Sequence, residues 1–254
     1  MEDTELLDLA MRLAAEAGRK ILEVRARGFG TWRKEDRSPV TEADHAAEAV
    51  IVAGLRAACP GVPVVAEEEI AGGHVPDQAA EFWLVDPLDG TREFAAGRDE
   101  FAVCIGLVRH GRAVIGAVGA PAQGFVYGGI LGVGAWKEGA GGRAPIRVRA
   151  VPDSGLAVVA SRHDADDPRL VPFLAGRKID TMLNIGSALK FCRVAEGIAD
   201  LYPRFGRTME WDTAAAQAVV EAAGGTVVEA IGGAPFRYGK SGWENPGFIC
   251  TGLR

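Results

Sequence analysis

Residues 83–94 read Trp83-Leu84-Val85-Asp86-Pro87-Leu88-Asp89-Gly90-Thr91-Arg92-Glu93-Phe94, an apolar run that stops on a carboxylate and a proline. Such a run reads as a buried strand, and Pro87 prevents a helix from starting where the strand ends. The chain then presents Asp89, Gly90 and Thr91 at the start of a helix. Two carboxylates three residues apart on a rigid turn are spaced to share hard cations, and the Leu88 carbonyl between them adds a neutral oxygen ligand. The amides of Gly90 and Thr91, with a helix dipole behind them, can hold a phosphate oxygen. Asx hydrogen bonds, which aspartates near Pro and Gly often form, explain the same residues without any ligand. Of the two, the segment alone favours the metal reading.

The rest of the chain supplies a frame. Leu6, Leu9, Ala10, Leu13, Ala17, Ile21 and Val24 recur at three- and four-residue steps, which predicts a helix over 5–27. Its polar residues mix acids with bases, favouring packing on its own domain over a membrane surface. A second helix is expected over 41–58, capped by Thr41. Strands are expected at 62–66 and 81–85, then at 101–108 and 113–118 around a His110-Gly111 turn, and at 125–130, 134–136 and 146–148, forming an antiparallel sheet. The glycine-rich stretch 137–142 reads as a surface loop, because no strand-to-helix frame makes it a phosphate cradle. After Pro152 the pattern becomes α/β, with a strand at 158–161 and helices at 168–174, 186–197 and 212–223, the last closed by Gly224-Gly225. A boundary near residue 150 divides an α+β half, 1–150, from a smaller α/β half, 151–254.

Composition excludes several function classes. Of 254 residues, 48% are hydrophobic and 24% charged, as in globular proteins. No stretch approaches the ~20 apolar residues of a membrane span, and the acidic start Met1-Glu2-Asp3 is unlike a secretory signal. Cys59, Cys104, Cys192 and Cys250 form no Cys-x-x-Cys pair, which argues against zinc or redox chemistry and for buried thiols in a reducing compartment. A cytoplasmic protein is expected, with the inner face of the membrane as its peripheral alternative. The net charge of −6 does not attract nucleic acid by its overall field. A small polyanion remains compatible if metal ions and local cations reverse the sign inside a cleft.

Other acids join the first two. Glu67, Glu68 and Glu69 follow a strand directly, and a cation would relieve their repulsion; an exposed acidic turn is the plainer account, and the better one for Glu69. Asp212 opens a helix after Trp211, as a simple N-cap does. Asp44, taken alone, is a solvated helix acid.

Taken together, Asp86-Pro87-Leu88-Asp89-Gly90-Thr91, the Glu67-Glu68 pair and Trp211-Asp212-Thr213-Ala214-Ala215 resemble the signature of the inositol monophosphatase superfamily over nearly the whole chain. The resemblance implies an α/β (α+β) protein with the layered αβαβα sugar-phosphatase fold and a metal site in a cleft between its halves. It implies a Mg²⁺-dependent phosphatase, inhibited by Li⁺, with two or three ions per active site. Glu67, Asp86, Asp89, Asp212 and the Leu88 carbonyl would be the ligands, and Glu68 would support them. Asp44 and Thr91, with Glu67, would position and deprotonate the attacking water. Two divalent ions ~3.5–4 Å apart can stabilise both attacking and leaving oxygens without a covalent nucleophile.

Within that superfamily, Ser161-Arg162-His163, Ile185-Gly186-Ser187-Ala188-Leu189-Lys190 and Leu201-Tyr202-Pro203-Arg204 resemble the bisphosphate-nucleotidase branch. That branch implies substrate contacts from Ser161, Gly186, Ser187, Lys190 and Arg204, with His163 near the base. Leu88, Asp89, Gly90, Thr91 and Asp212 would meet the scissile phosphate. A second phosphate remote from the metals needs its own cations, a point charge from Lys190 and a fork from Arg204; without a ligand both are ordinary solvated residues. The expected substrate is a small nucleotide, adenosine 3′,5′-bisphosphate, with its 5′-phosphosulfate analogue second. Inositol phosphate, histidinol phosphate or fructose bisphosphate is the alternative on the same fold, and a non-catalytic binding protein the alternative of another class. The chain is expected to be a monomer or homodimer. Two departures from the branch, Glu210 before Trp211 and Ala216 in place of glycine, bear on substrate preference. Beside the metal site, Glu210 would repel a phosphate or accept a sugar hydroxyl.

Overall fold

A computed structural model describes residues 1–33, 39–76, 79–162 and 167–253. Helix α1 (Asp3–Arg27) buries the apolar stripe named above, and Glu5 Oε2 accepts a hydrogen bond from the Glu2 amide at 2.9 Å to close its first turn. Strands β1 (Thr31–Arg33) and β2 (Pro39–Thr41) pair antiparallel and lead into helix α2 (Glu42–Ala58). Thr41 caps α2, as expected: its Oγ1 accepts from the Ala43 amide at 3.1 Å.

The first sheet has seven strands among the described residues, in the order β3 (Val64–Ala66), β4 (Glu81–Asp89), β5 (Ala102–Arg109), β6 (Arg112–Ala120), β7 (Phe125–Ile130), β8 (Gly134–Gly139) and β9 (Gly142–Ile146). Strands β3 and β4 run parallel, and every later pair is antiparallel. Short helices α3 (Glu67–Ala71) and α4 (Thr91–Ala95) follow β3 and β4. The second sheet is built from β10 (Leu156–Ala160), β11 (Ile179–Asn184), β12 (Leu201–Arg204), β14 (Thr226–Glu229) and β16 (Phe248–Thr251), in the order β11-β10-β12-β16-β14. Helices α5 (Leu170–Leu174), α6 (Leu189–Ala195) and α7 (Ala214–Ala222) belong to this part of the chain, with a small pair formed by β13 (Thr208–Met209) and β15 (Glu244–Asn245).

The layers follow from which face each residue buries. Trp83, Val85, Val103, Ile105 and Ile115 pack against α1 and α2 on one face of the first sheet. Leu84, Cys104 and Val118 pack on its other face against α6 and α7, which in turn meet Val159, Tyr202 and Phe248 of the second sheet. Val158, Leu201 and Ile249 face outward toward Phe173 and Leu174 of α5. The architecture is therefore α/β/α/β/α, as expected. All four cysteines are buried thiols, and no helix among the described residues is long and apolar enough to cross a membrane.

Three local expectations are corrected. Residues 137–142 are not a loop but the tip of the β8–β9 hairpin, with Gly139 opposite Gly142. The strand expected at 146–148 ends at Ile146, and the Val148 amide leaves the sheet to donate to Ala223 O at 3.1 Å. The helix expected at 212–223 begins as a 3-10 turn over Glu210–Asp212 before α7. Strands β11, β12, β14 and β16 were not anticipated; they are short and take their pairing from neighbours distant in sequence.

Helix α7 lies unusually close to the first sheet. Gly106, Gly116 and Gly129 sit side by side in register across β5, β6 and β7. A Cβ at Gly106 would stand 2.7 Å from Ala215 N, one at Gly129 2.7 Å from Val219 Cα, and one at Gly116 would overlap the Ala215 carbonyl. We expect Gly116→Ala to destabilise the protein by about 1–3 kcal/mol through overpacking. Gly141→Ala, at a position where a Cβ meets nothing within 4 Å, should stay within about 0.5 kcal/mol of the parent. Urea unfolding of both variants checks this.

Candidate active site

The site begins with a fault in β4. Phe82 and Leu84 point to the α7 face and Trp83 and Val85 to the α1–α2 face, the ordinary alternation of a strand. Opposite β5, Asp86 pairs with Cys104 but Asp89 with Ala102, so one residue is extra on β4. Pro87, which has no amide to give the ladder, sits in this bulge. The phase shifts, and Leu88 turns to the α1–α2 face. Residues three apart on a regular strand face opposite ways; here the extra residue brings Asp86 and Asp89 to the same side. The environment of Cys104 reflects this: burial pushes its thiol up first, followed by the charges of Asp89, Asp86, Cys192 and Asp212.

Hydrogen bonds lock the turn. Asp86 Oδ1 accepts from Leu88 N at 2.9 Å, so the Asx turn offered by the sequence is present. Gly90 has φ 91°, and a Cβ there would meet Glu100 O at 3.0 Å, so the position requires glycine. Thr91 begins α4, and its Oγ1 lies 3.0 Å from Leu88 O and 3.2 Å from Asp44 Oδ1. Asp44 is not a solvated acid: it is buried, and its Oδ2 accepts from both Thr41 N and Thr41 Oγ1 at 2.7 Å.

Asp212 reaches the same region from the far end of the chain. Its Oδ2 accepts from Met209 N at 2.8 Å across the 3-10 turn. Burial pushes its carboxyl well up, and the charges of Asp89 and Glu67 add to this. Asp89 is pushed up to about 6 by burial, opposed by Lys190 and by the hydrogen bond its Oδ2 accepts from Ala188 N, and reinforced by Glu67 and Glu93. Glu67, at the first position of α3, is thus within electrostatic reach of both aspartates. The donor set is entirely oxygen, as suits a hard divalent cation, and its crowded acids fit a group that neutralises them. Among the described residues no three His, Cys, Asp or Glu side chains stand gathered as a ready cage.

The neighbouring acids differ in role. Glu68 is buried, and its amide donates to Glu48 Oε2 of α2 at 2.7 Å. Burial pushes Glu48 up to about 7, the Glu68 amide opposes this, and the charges of Glu68, Glu69 and Glu67 add to it. Glu69 pairs with Arg56 through two contacts of 2.9 and 2.7 Å. Glu210 does not serve as a substrate contact. It is fully buried and accepts from Gly239 N at 2.7 Å and Lys240 N at 2.9 Å, with Lys240 Nζ at 2.6 Å, so it anchors that loop to the 3-10 turn.

A cavity of about 180 Å³ opens beside these acids, lined by Asp89, Gly90, Ser161, Gly186, Ser187, Lys190, Arg204 and Asp212, all singled out in the sequence. Glu67, Asp86, Leu88, Thr91 and Asp44 do not line it; Asp86, Leu88 and Thr91 belong to the segment that carries Asp89, and Asp44 meets Thr91. His163 lies outside the described residues. Lys190, read as a substrate contact, is 4% exposed. Its Nζ donates to Ser187 O at 2.6 Å, lies 5.3 Å from the Tyr202 ring centroid, and its charge bears on Asp89. The loop bearing Gly186 and Ser187 is pressed against the first half: a Cβ at Gly186 would stand 2.6 Å from Glu93 Cγ. Arg92, Tyr202, Phe191 and Thr208 also line the cavity and were missed. The signal for Arg92 was its place directly after Thr91; that for Tyr202 was its place two residues before Arg204.

Comparisons with known proteins agree over the full chain. A sequence profile of the inositol monophosphatase family matches residues 2–251. The 3′(2′),5′-bisphosphate nucleotidase CysQ of Escherichia coli K12 is 43% identical over 246 residues, covering 96% of this chain and 98% of that protein. The crystal structure of CysQ from Bacteroides thetaiotaomicron superposes with a TM-score of 0.83 at 33% identity, covering 98% of both chains. An inositol monophosphatase (IMPase) from Thermotoga maritima superposes with a TM-score of 0.79 at 25% identity, over 97% of this chain and 92% of that one. With its bulged carboxylate turn, a late aspartate brought beside it and this match from end to end, the chain belongs to the inositol monophosphatase family.

Proposed function

We propose that this protein is a Mg²⁺-dependent 3′(2′),5′-bisphosphate nucleotidase that hydrolyses adenosine 3′,5′-bisphosphate to AMP and phosphate, with the 5′-phosphosulfate analogue as a second substrate. The observation that carries the reading is the single cavity in which Asp89 and Asp212 are lined up with three cations, Arg92, Lys190 and Arg204. Full-length similarity to proteins named for this activity supports the same assignment. In this role it would clear a by-product of sulfate assimilation in the cytoplasm.

Glu67, Asp86, Asp89, Asp212 and the Leu88 carbonyl would hold the cations. When bound, divalent ions acidify water and neutralise charge on the leaving oxygen. The protein's own part is orientation and proton handling. Asp44 is held by two donors on Oδ2, which leaves Oδ1 directed to Thr91 Oγ1. A water hydrogen-bonded to Thr91 Oγ1 can thus pass its proton through that hydroxyl toward Asp44 Oδ1. Lys190, expected to meet the remote phosphate, is instead pinned by Ser187 O and buried beside Asp89, so its fixed charge would bear on the scissile phosphate. Arg204, half-buried and lining the same cavity, would offer the fork for the second phosphate.

Asp89→Asn and Asp212→Asn should each lower turnover by several kcal/mol of activation energy, at least about a hundredfold, while circular dichroism stays that of the parent. Near-normal turnover at saturating Mg²⁺ in either variant would rule out the metal-ligand assignment. The same assay, with chelator added and with Li⁺ in competition, checks the identity of the ion.

Substrate choice is decided by phosphate release from adenosine 3′,5′-bisphosphate, inositol phosphate and histidinol phosphate at equal concentration. Arg204→Ala should cost about 1.5–3 kcal/mol, roughly ten- to a hundredfold in kcat/KM, on the bisphosphate only. Lys190→Ala should instead damage all three, and its effect should be insensitive to salt because the ammonium is buried. Equal losses on every substrate with Arg204→Ala would leave a phosphatase of the same family with a singly phosphorylated substrate.

A further inference from the structure

We propose that Glu48 is a positioning residue that sets the location of Glu67 relative to the Asp86–Thr91 turn, and with it the strength of metal binding; the proposal rests on the reading of Glu67 as a metal ligand. Helix α3 is five residues long and opens with Glu67, and its N-cap, Ala66, offers no side-chain acceptor. The first-turn amides of a helix need acceptors, and a terminus buried without them is costly. Here the acceptor comes from another helix: Glu48 Oε2 of α2 takes the Glu68 amide at 2.7 Å, with both residues 7% exposed. The hydrogen bond grips the backbone at the residue after Glu67.

Glu48 stands four residues after Asp44, one helical turn along the same buried face of α2. Asp44 meets Thr91 in the turn after β4, and Glu48 meets Glu68 in the turn after β3. Strands β3 and β4 are parallel neighbours, with Ala66 opposite Val85, so both turns leave the sheet at the same end. The two acids of α2, about 6 Å apart along its axis, therefore tie together the two turns that carry the proposed ligands. A buried carboxylate is expensive for a helix that only needs to pack, and this one is used to fix a spacing. A second tie between α2 and α3, Arg56 to Glu69, lies further from Glu67 and on the solvent side, with Arg56 47% exposed.

The test measures Mn²⁺ binding to the full chain by titration calorimetry, alongside thermal unfolding and nucleotide KM at saturating Mn²⁺. Glu48→Asp keeps the charge but withdraws the carboxylate by one methylene; it should weaken Mn²⁺ about tenfold and leave KM unchanged. Glu48→Gln keeps an acceptor oxygen at the same reach and should bind Mn²⁺ close to the parent. Arg56→Ala should not alter Mn²⁺ affinity. Parental affinity in Glu48→Asp, an equal loss in Glu48→Gln, or an equal loss in Arg56→Ala would each overturn the proposal. A Glu48→Asp protein without a cooperative unfolding transition would also overturn it, by making Glu48 a residue of folding alone. Absence of Mn²⁺ binding to the parent chain would remove the metal reading itself, a result distinct from the others.

Discussion

Helix α7 reaches the first sheet across Gly106, Gly116 and Gly129, where the backbone of Ala215 and Val219 occupies the space that side chains would fill. Everything between the two sheets is set by that approach. Asp212 lies two residues before α7, so the depth at which the helix seats determines how near this carboxylate comes to the turn after β4. A helix held further out by even a methyl group would carry Asp212 away from Asp89, because interiors transmit small displacements rather than absorb them. The glycine row is therefore a requirement of the site as much as of packing.

The same closeness creates an electrostatic problem that the fold answers in part. Burial pushes Asp89 and Asp212 up, reinforced at Asp89 by Glu67 and Glu93 and at Asp212 by Asp89 and Glu67. The Asp89 charge is met by the Ala188 amide and by Lys190, both from the other half of the chain, and that of Asp212 by the Met209 amide. Asp44 is handled differently, with two hydrogen bonds from Thr41 and a third group, Thr91, at 3.2 Å. Asp44, Asp89 and Asp212 are thus each held by a backbone amide or a short neutral side chain, and Lys190, buried beside Asp89, is fixed by the Ser187 carbonyl. Such an arrangement orients the carboxylates, which is what a cation site needs.

The chemistry-bearing residues were legible because they lie in short contiguous runs. Asp86-Pro87-Leu88-Asp89-Gly90-Thr91 announced a strand end, a turn and a helix start from local rules alone, and the helices α1 and α2 followed from their periodicity and the Thr41 cap. What misled was any residue whose environment is supplied from far away. Asp44 by its local pattern alone is a surface acid, and only the family resemblance paired it with Thr91, 47 residues later, which the fold brings within 3.2 Å. Lys190 reads as a cation for a remote phosphate, Glu210 as facing a ligand, and 137–142 as a loop. Their true partners, Ser187 with Tyr202, Gly239 with Lys240, and the facing arm of a hairpin, come from pairing and burial that no local pattern records.

The amino-acid sequence by itself determined which oxygen donors exist and that no helix starts at Pro87, because these depend on residue identity and on backbone geometry within a few residues. Only the tertiary structure decided which donors share a space. Asp86 and Asp89 come to one side through strand register, Asp212 joins them through the seating of α7 on the sheet, and the Glu67 turn is held beside them by a carboxylate of α2. Register, helix seating and interhelical hydrogen bonds are long-range choices, made by the burial of whole faces rather than by any single segment.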